Sequence, residues 1–353
     1  MTAIVTDVKY RMSLALIRDL ADAGVKVIAC EYEGERFPLG FESKAVSERV
    51  TLPRENTADA LLRLCKKHPG AALMSVGAKT LAMLCERRAD FTNALLPEPD
   101  ALSLFNDKAR VNALAKELGV PAPEAAEGLP AVVKPVCGEK FGLAAAERYV
   151  IARTESERDE AVSRFTALTG EPPITQEYLE GAACGCSVVA REGRVLASVC
   201  HRRVREWPVS GGPSSCAERI EAPELERYAA KMIGHCNYTG LAMFEFKGGK
   251  LLEINPRVWG TYPLVRAANT NFSFVWFKAA LGEHVPFERG RPARMAFYPA
   301  DLAAALGYLK RGAPGKALRA AVDAVDPRVK NGIAQRGDNA PKKMYYRSLK
   351  ERK

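Results

Sequence analysis

Over its first hundred residues the chain alternates short apolar runs with helical spacing, and few architectures accept that pattern. AIVTDV at 3–8 is expected as a strand. Leu14, Ile17, Leu20 and Ala21 recur at helical spacing, and Gly24 stops that helix before a second apolar run, KVIAC. A helix from Thr57 to Cys65, the run AALMSVG and another helix beginning near Lys79 continue the alternation. Strand, helix, strand in this order implies a parallel sheet. No G-x-G-x-x-G follows the first strand, so the fingerprint of a dinucleotide site is missing.

Pro97 and Pro99 mark an expected boundary. After it, NDKARVNALAKEL (106–118) places Val111, Leu114, Ala115 and Leu118 on one helical face and is terminated by Gly119 and Pro121. The strand AVVKPV, the loop CGEKFG, the strand RYVIA, a charged helix from about Glu155 and the strand ITQEYL then read as a small sheet with one or two covering helices. Two hairpins follow. SVVARE and RVLASVCHRRVRE turn at Glu192 and Gly193, and LAMFEFK and KLLEIN turn at Gly248 and Gly249, with a helix near Ala222 to Cys236 between them. Beyond Gly282 the expectation is helical, near Leu302 to Lys310 and Lys316 to Val325, without a chemical motif.

At 353 residues the chain is long enough for two or three packed units, and 47% hydrophobic with 27% charged residues excludes disorder as its main state. Uncharged stretches such as Ala267 to Phe277 reach only about half the roughly 20 residues of a spanning helix, so no membrane partner is expected. The N-terminus carries Asp7, Lys9 and Arg11 within any apolar region and reads as no secretion signal. Nine cysteines without a C-x-x-C pair fit reduced thiols and a cytoplasmic protein, and Cys184 and Cys186, the one close pair, fit small core packing. Much of the net charge of +10 lies in KKMYYRSLKERK (342–353). Anionic small-molecule substrates suit it, and a nucleic-acid partner is not expected.

The chemistry concentrates in LAMFEFKGGKLLEINPRVWG (241–260). Glu245 lies on one strand of the hairpin and Glu253 on the other, and Asn255, two residues on, shares the face of Glu253. Two carboxylates and an amide are hard oxygen donors of the kind Mg²⁺ accepts alongside nucleotide phosphates. Leu251, Leu252, Ile254 and Pro256 surround them, where unpaired charge would be costly.

EF followed by LLEINPR, after VVKP and QEYLEG, resembles the ATP-grasp superfamily, and the ordered set extends from the first strand to about Gly282. HRRVREWPVSGGPSS followed by EINPRVWG is similar to a branch described as carboxylate-amine ligases, related in its ATP site to the large chain of carbamoyl-phosphate synthase. The resemblance implies a mixed α/β and α+β fold: an N-terminal Rossmann-like pre-ATP-grasp domain over 1–97 and a two-lobed ATP-grasp domain over 98–284. A smaller lid lobe would span about 125–180, and a C-terminal helical extension with a basic tail would fill 285–353. It implies ATP and Mg²⁺, with Mn²⁺ as a substitute, and a reaction that activates a carboxylate as an acyl phosphate for attack by an amine. Residue by residue it implies Lys108 and Lys134 on the ATP phosphates and Glu177, Tyr178 and Leu179 at the adenine. It further implies Glu245, Glu253 and Asn255 on the metal, and Arg257 with Lys134 beside the transferred phosphoryl.

The chain departs from that pattern in two places. The loop after Lys134 has only Gly138 and Gly142 and carries Glu139, and Ala182, Ala183 and Cys184 stand where many members place a ribose-binding acid. A Walker-type G-x-x-x-x-G-K-[ST] is absent, which argues against a P-loop NTPase. Arg203 and Arg205, two apart on one strand face, with Gly211 and Gly212, are expected to meet the second substrate. His201 is expected to be structural, and Trp207, Trp259 and Trp276 to belong to the core. The partners expected are a small carboxylate and an amine, with a homodimer compatible. Two alternatives are phosphorylation of bicarbonate or carbamate, and a nucleotide-binding module without catalysis.

Overall fold

The computed structural model describes residues 1–136, 143, 147–209 and 211–351. The first four strands, β1 (Thr2–Val5), β2 (Lys26–Tyr32), β3 (Glu48–Leu52) and β4 (Ala72–Met74), form a parallel sheet in the order β3-β2-β1-β4. The helices α1 (Arg11–Asp22), α2 (Thr57–Lys67) and α3 (Ala78–Glu86) connect or follow them. β1 stops short of the expected 3–8 because Asp7 takes a φ of 57°, and its carboxylate accepts from Gly77 N at 2.9 Å and Thr80 Oγ1 at 2.8 Å. β3 was not foreseen: ERVTL is a charged edge strand with one buried residue.

Pro97 and Pro99 do not mark a bare linker. Pro99 is the first residue of α4 (Pro99–Asn106), where its missing N–H is not needed. The helix expected from 106 instead restarts as α5 (Lys108–Glu117), because Asp107 caps it by accepting from Ala109 N and Arg110 N, both at 2.9 Å. A three-stranded antiparallel sheet, β6-β5-β7, follows from β5 (Ala131–Lys134), β6 (Val150–Ala152) and β7 (Ile174–Glu177). Its helix α6 (Glu155–Thr169) opens with a capping box between Thr154 and Glu157.

The third sheet has seven strands in the order β12-β11-β8-β9-β10-β13-β14. These are β8 (Ala183–Arg191), β9 (Arg194–Glu206), β10 (Ser214–Ile220), β11 (Gly240–Lys247), β12 (Lys250–Asn255), β13 (Arg294–Ala296) and β14 (Val329–Asn331). The helices are α7 (Pro223–His235), α8 (Pro263–Ala267), α9 (Phe272–Ala280), α10 (Ala300–Lys310), α11 (Pro314–Val325) and α12 (Ala340–Glu351). The C-terminal stretch is thus not purely helical as expected, since β13 and β14 extend the large sheet.

One face of that sheet (Val189, Ala197, Val199, Leu241, Met243) shares a single core with the parallel sheet, α1, α9 and Trp259. The other face (Cys186, Val188, Cys200, Ala242, Phe244) packs on α4, α5 and α7, with Cys184 alongside. No described helix is long and apolar enough to cross a membrane.

Candidate functional site

Along β11 the face that carries Leu241 and Met243 into the shared core reaches Glu245 next, so apolar packing gives way to charge. Antiparallel register sets Glu253 directly opposite Glu245 and Asn255 opposite Met243. Asn255 Nδ2 donates to Glu253 Oε1 at 3.0 Å. The three expected oxygen-bearing side chains therefore share one patch. Their carboxylates are partly covered, with 14% of the Glu245 and 29% of the Glu253 side chain exposed, so a solute can reach them.

Cations arrive from four other segments. Lys108 at the start of α5 lies 3.3 Å from Glu253, and Arg203 Nη2 on β9 donates to Glu245 at 2.7 Å. Lys134, at the end of β5, is buried and donates to the carbonyl of Leu252 at 3.4 Å. Arg257 Nη2 donates to Asn255 Oδ1 at 3.1 Å and Nη1 to the Val258 carbonyl at 3.1 Å.

These neighbours split the titration of the two acids. Burial pushes the Glu253 carboxyl up, but Lys108, Lys134 and the Asn255 amide outweigh it and hold the group down at about 2. Burial raises Glu245 above the usual carboxylate range, with Arg203 opposing and Glu253 adding to the rise. Burial lowers the Lys134 ammonium to about 8, against the pull of Glu253.

A family model described as ATP-grasp in the biosynthetic pathway with Ter operon matches residues 170–297, the stretch holding Arg203, Glu245, Glu253 and Asn255. A carbamoyl phosphate synthase large chain from Deinococcus radiodurans is 25% identical over 272 residues, 70% of this chain and 26% of that one. The C-terminal section of the large chain from Methanopyrus kandleri is 25% identical over 301 residues, 76% of this chain and 54% of that one. The chain thus spans from about a quarter to about half of these curated relatives. A biotin carboxylase from Campylobacter jejuni, solved with an ATP analogue, superimposes with a TM-score of 0.63 at 14% identity, over 83% of this chain and 74% of that one. The chain has an ATP-grasp fold.

Within this fold the remaining expected residues separate. Glu177 has its carboxylate engaged, accepting from Glu124 N at 2.9 Å and Lys250 Nζ at 2.5 Å. The Tyr178 ring lies under Lys247 Nζ, 4.9 Å from its centroid. Among the described residues, none makes a main-chain hydrogen bond to Tyr178 or Leu179.

Arg205 does not join Arg203. The β9–β10 register shifts between Cys216 and Ala217, which breaks the alternation that would have put both arginines on one face. Arg205 is buried and donates to both oxygens of Asp301, at 2.9 and 2.8 Å, and to Asp323 at 2.6 Å. Gly211 and Gly212 leave no open space either, since a Cβ would overlap the Tyr149 hydroxyl at Gly211 and the Trp207 main chain at Gly212. Gly138, Glu139 and Gly142 lie outside the described residues.

Sequence reasoning missed Tyr149, whose phenol rises by burial and by the charges of Glu206 and Glu245, with Arg203 opposing. A lone tyrosine before a short strand gives no signal of that position. His201 is buried against Thr261, 3.2 Å from its Oγ1, and burial with the neighbouring Arg203 lowers the imidazole to about 3.

Proposed function

We propose that the chain is an ADP-forming ATP-dependent ligase that activates a carboxylate as an acyl phosphate and joins it to an amine. The observation that carries this reading is the facing pair Glu245 and Glu253, ringed by Lys108, Lys134, Arg203 and Arg257. Phosphoryl transfer needs positioning and charge neutralisation more than covalent chemistry from the protein, and this inventory supplies both without a nucleophile.

The donor set fits a magnesium ion. Glu245, Glu253 and the Asn255 oxygen are hard donors on one face, few enough to leave positions for substrate oxygens, and partly exposed. A divalent cation held there, Mg²⁺ or Mn²⁺, would neutralise and bridge the phosphates of ATP. Lys108 and Lys134, beside Glu253, would neutralise phosphate oxygens, and burial of Lys134 would strengthen its pull in a less polar setting. The main chain of Tyr178 and Leu179, which no described residue's main chain bonds, would offer an amide and a carbonyl to the purine edge. Arg257, beside Asn255, presents a fork of donors to the transferred phosphoryl or to the acyl phosphate. Arg203 holds Glu245 in place and faces the second substrate.

On this reading β1–β4 form a Rossmann-like unit over 1–97, residues 98–284 form the two-lobed ATP-binding body with β5–β7 as the smaller lobe, and 285–353 close it. The four-stranded parallel order supports the first assignment.

The testing experiment is ADP release from purified protein with Mg-ATP, against pooled amino acids, small carboxylic acids and bicarbonate. Stimulation by a carboxylate and amine pair is expected. The 25% identity to carbamoyl phosphate synthase large chains supports a second reading, phosphorylation of bicarbonate or carbamate. A bicarbonate requirement without any amino acid would select it. ATP binding without ADP formation in any pool would reject both.

A further inference from the structure

The hairpin of α10 and α11 is amphipathic in the reverse sense for helices packed on a sheet. The stripe it buries is small and acidic: Asp301, Ala304 and Gly307 on α10, Ala317, Ala320 and Asp323 on α11. Both carboxylates are taken by Arg205, and Asp323 also by Arg294 at 2.9 Å. The large aliphatic residues point the other way. Leu302, Leu306 and Leu309, and Leu318, Val322 and Val325, are 46 to 82% exposed.

Each triplet runs i, i+4, i+7, so each forms one row on the side of its helix away from the buried triplet. The two helices pack together and are joined by residues 311–313. Of the eleven exposed large hydrophobic residues among those described, these six fall on this one hairpin, and a patch of that kind marks an interaction site.

The charge around the rows decides the occupant. Lys310, Arg311, Lys316 and Arg319 are exposed, while the only carboxylates between 300 and 325, Asp301 and Asp323, are buried. A second copy docked by two-fold symmetry would bring these cations against their own equivalents. A bilayer is met by one apolar stripe along a single helix, whereas here the apolar residues are split into two rows on two packed helices, the form in which a partner helix seats between them.

We propose that the α10–α11 hairpin docks an acidic amphipathic helix of a partner protein. The helix seats its apolar stripe between the two rows and sets its carboxylates against Lys310, Arg311, Lys316 and Arg319. The seat backs onto the site's border, because Gly307 lies against Trp207 and Val209 of the β9–β10 loop with no room for a Cβ.

The test uses the full chain and two labelled helical peptides of about 18 residues, one with Leu at i, i+3 and i+4 and Glu elsewhere, the other with Lys in place of Glu. Fluorescence anisotropy should show the Glu peptide binding at least about tenfold tighter than the Lys peptide, and more weakly as salt rises. Leu306→Asp with Val322→Asp should lose about tenfold or more, as should Lys316→Glu with Arg319→Glu, which leaves the apolar rows intact and keeps the test decisive if the first pair misfolds. Equal affinity for both peptides, no peptide binding, or binding indifferent to both variants would overturn the proposal. So would a wild-type dimer in sedimentation velocity that the first variant dissolves, which assigns the face to a second copy. Co-sedimentation with phosphatidylcholine–phosphatidylglycerol vesicles in place of peptide binding would assign it to lipid.

Discussion

Glu245 and Glu253 stand directly opposite each other on β11 and β12, and each holds its own cation, Arg203 at 2.7 Å and Lys108 at 3.3 Å. Two carboxylates facing across adjacent strands repel unless cations separate their titrations. Here they do: Glu253 is held low and Glu245 is raised.

Glu253→Gln removes the charge while keeping the shape and the bond from Asn255. ADP formation should fall by at least about a thousandfold while the fold is retained. Coupled ADP assays beside thermal melts check it, and turnover at the wild-type rate would remove Glu253 from the site.

Arg203 and Arg205 should behave oppositely although they are two residues apart. Arg205→Ala leaves Asp301 buried without its cation and Asp323 with Arg294 alone, and should cost about 3–5 kcal/mol in urea unfolding, while the folded fraction keeps its KM for ATP. Arg203→Ala frees only a partly exposed partner, so it should change stability little and lower kcat/KM by about tenfold or more.

His201 fixes a pH dependence of stability. Its folded pKa, about 3, lies below the ordinary 6.5, so the unfolded chain binds the extra proton first. Stability is therefore full above about 6.5 and falls as pH drops toward 3, by about 2 kcal/mol at pH 5 for this one group. Comparing urea midpoints of wild type and His201→Gln at pH 7 and 5 isolates that share, which the variant should lack.

Gly212→Ala forces a Cβ onto the main chain of Trp207 and should destabilise by about 1–3 kcal/mol, with reduced turnover because Tyr149 and Arg203 border the same loop. Gly315→Ala, in the first turn of α11 with open space around it, should stabilise by about 0.5–1 kcal/mol. Thermal melts of the two single variants check the contrast.

The sequence was most legible where period-two alternation acts without interruption. Glu245, Glu253 and Asn255 could be put on one face because β11 and β12 pair regularly up to Glu245. Arg205 could not be, because a shift in the β9–β10 register is a property of the pairing and leaves no mark in HRRVRE. Glu177 looked available since its partners, Glu124 and Lys250, are 53 and 73 residues away in the chain. β13 and β14 are three residues each, too short for any pattern. Periodicity found α10 and α11 but does not reveal which side of a helix is buried, and there the apolar row proved to be the exposed one.

The core that β1, β2 and α1 share with Trp259, Phe272, Val275 and Trp276 ties the first sheet to the segment that follows β12. A truncation that begins at Pro99 would leave those side chains facing water, so the part that holds Glu245 and Glu253 is not separable as a minimal unit. Domain-shuffling across that junction, or grafting this first sheet onto another protein, would have to carry α8 and α9 along with it.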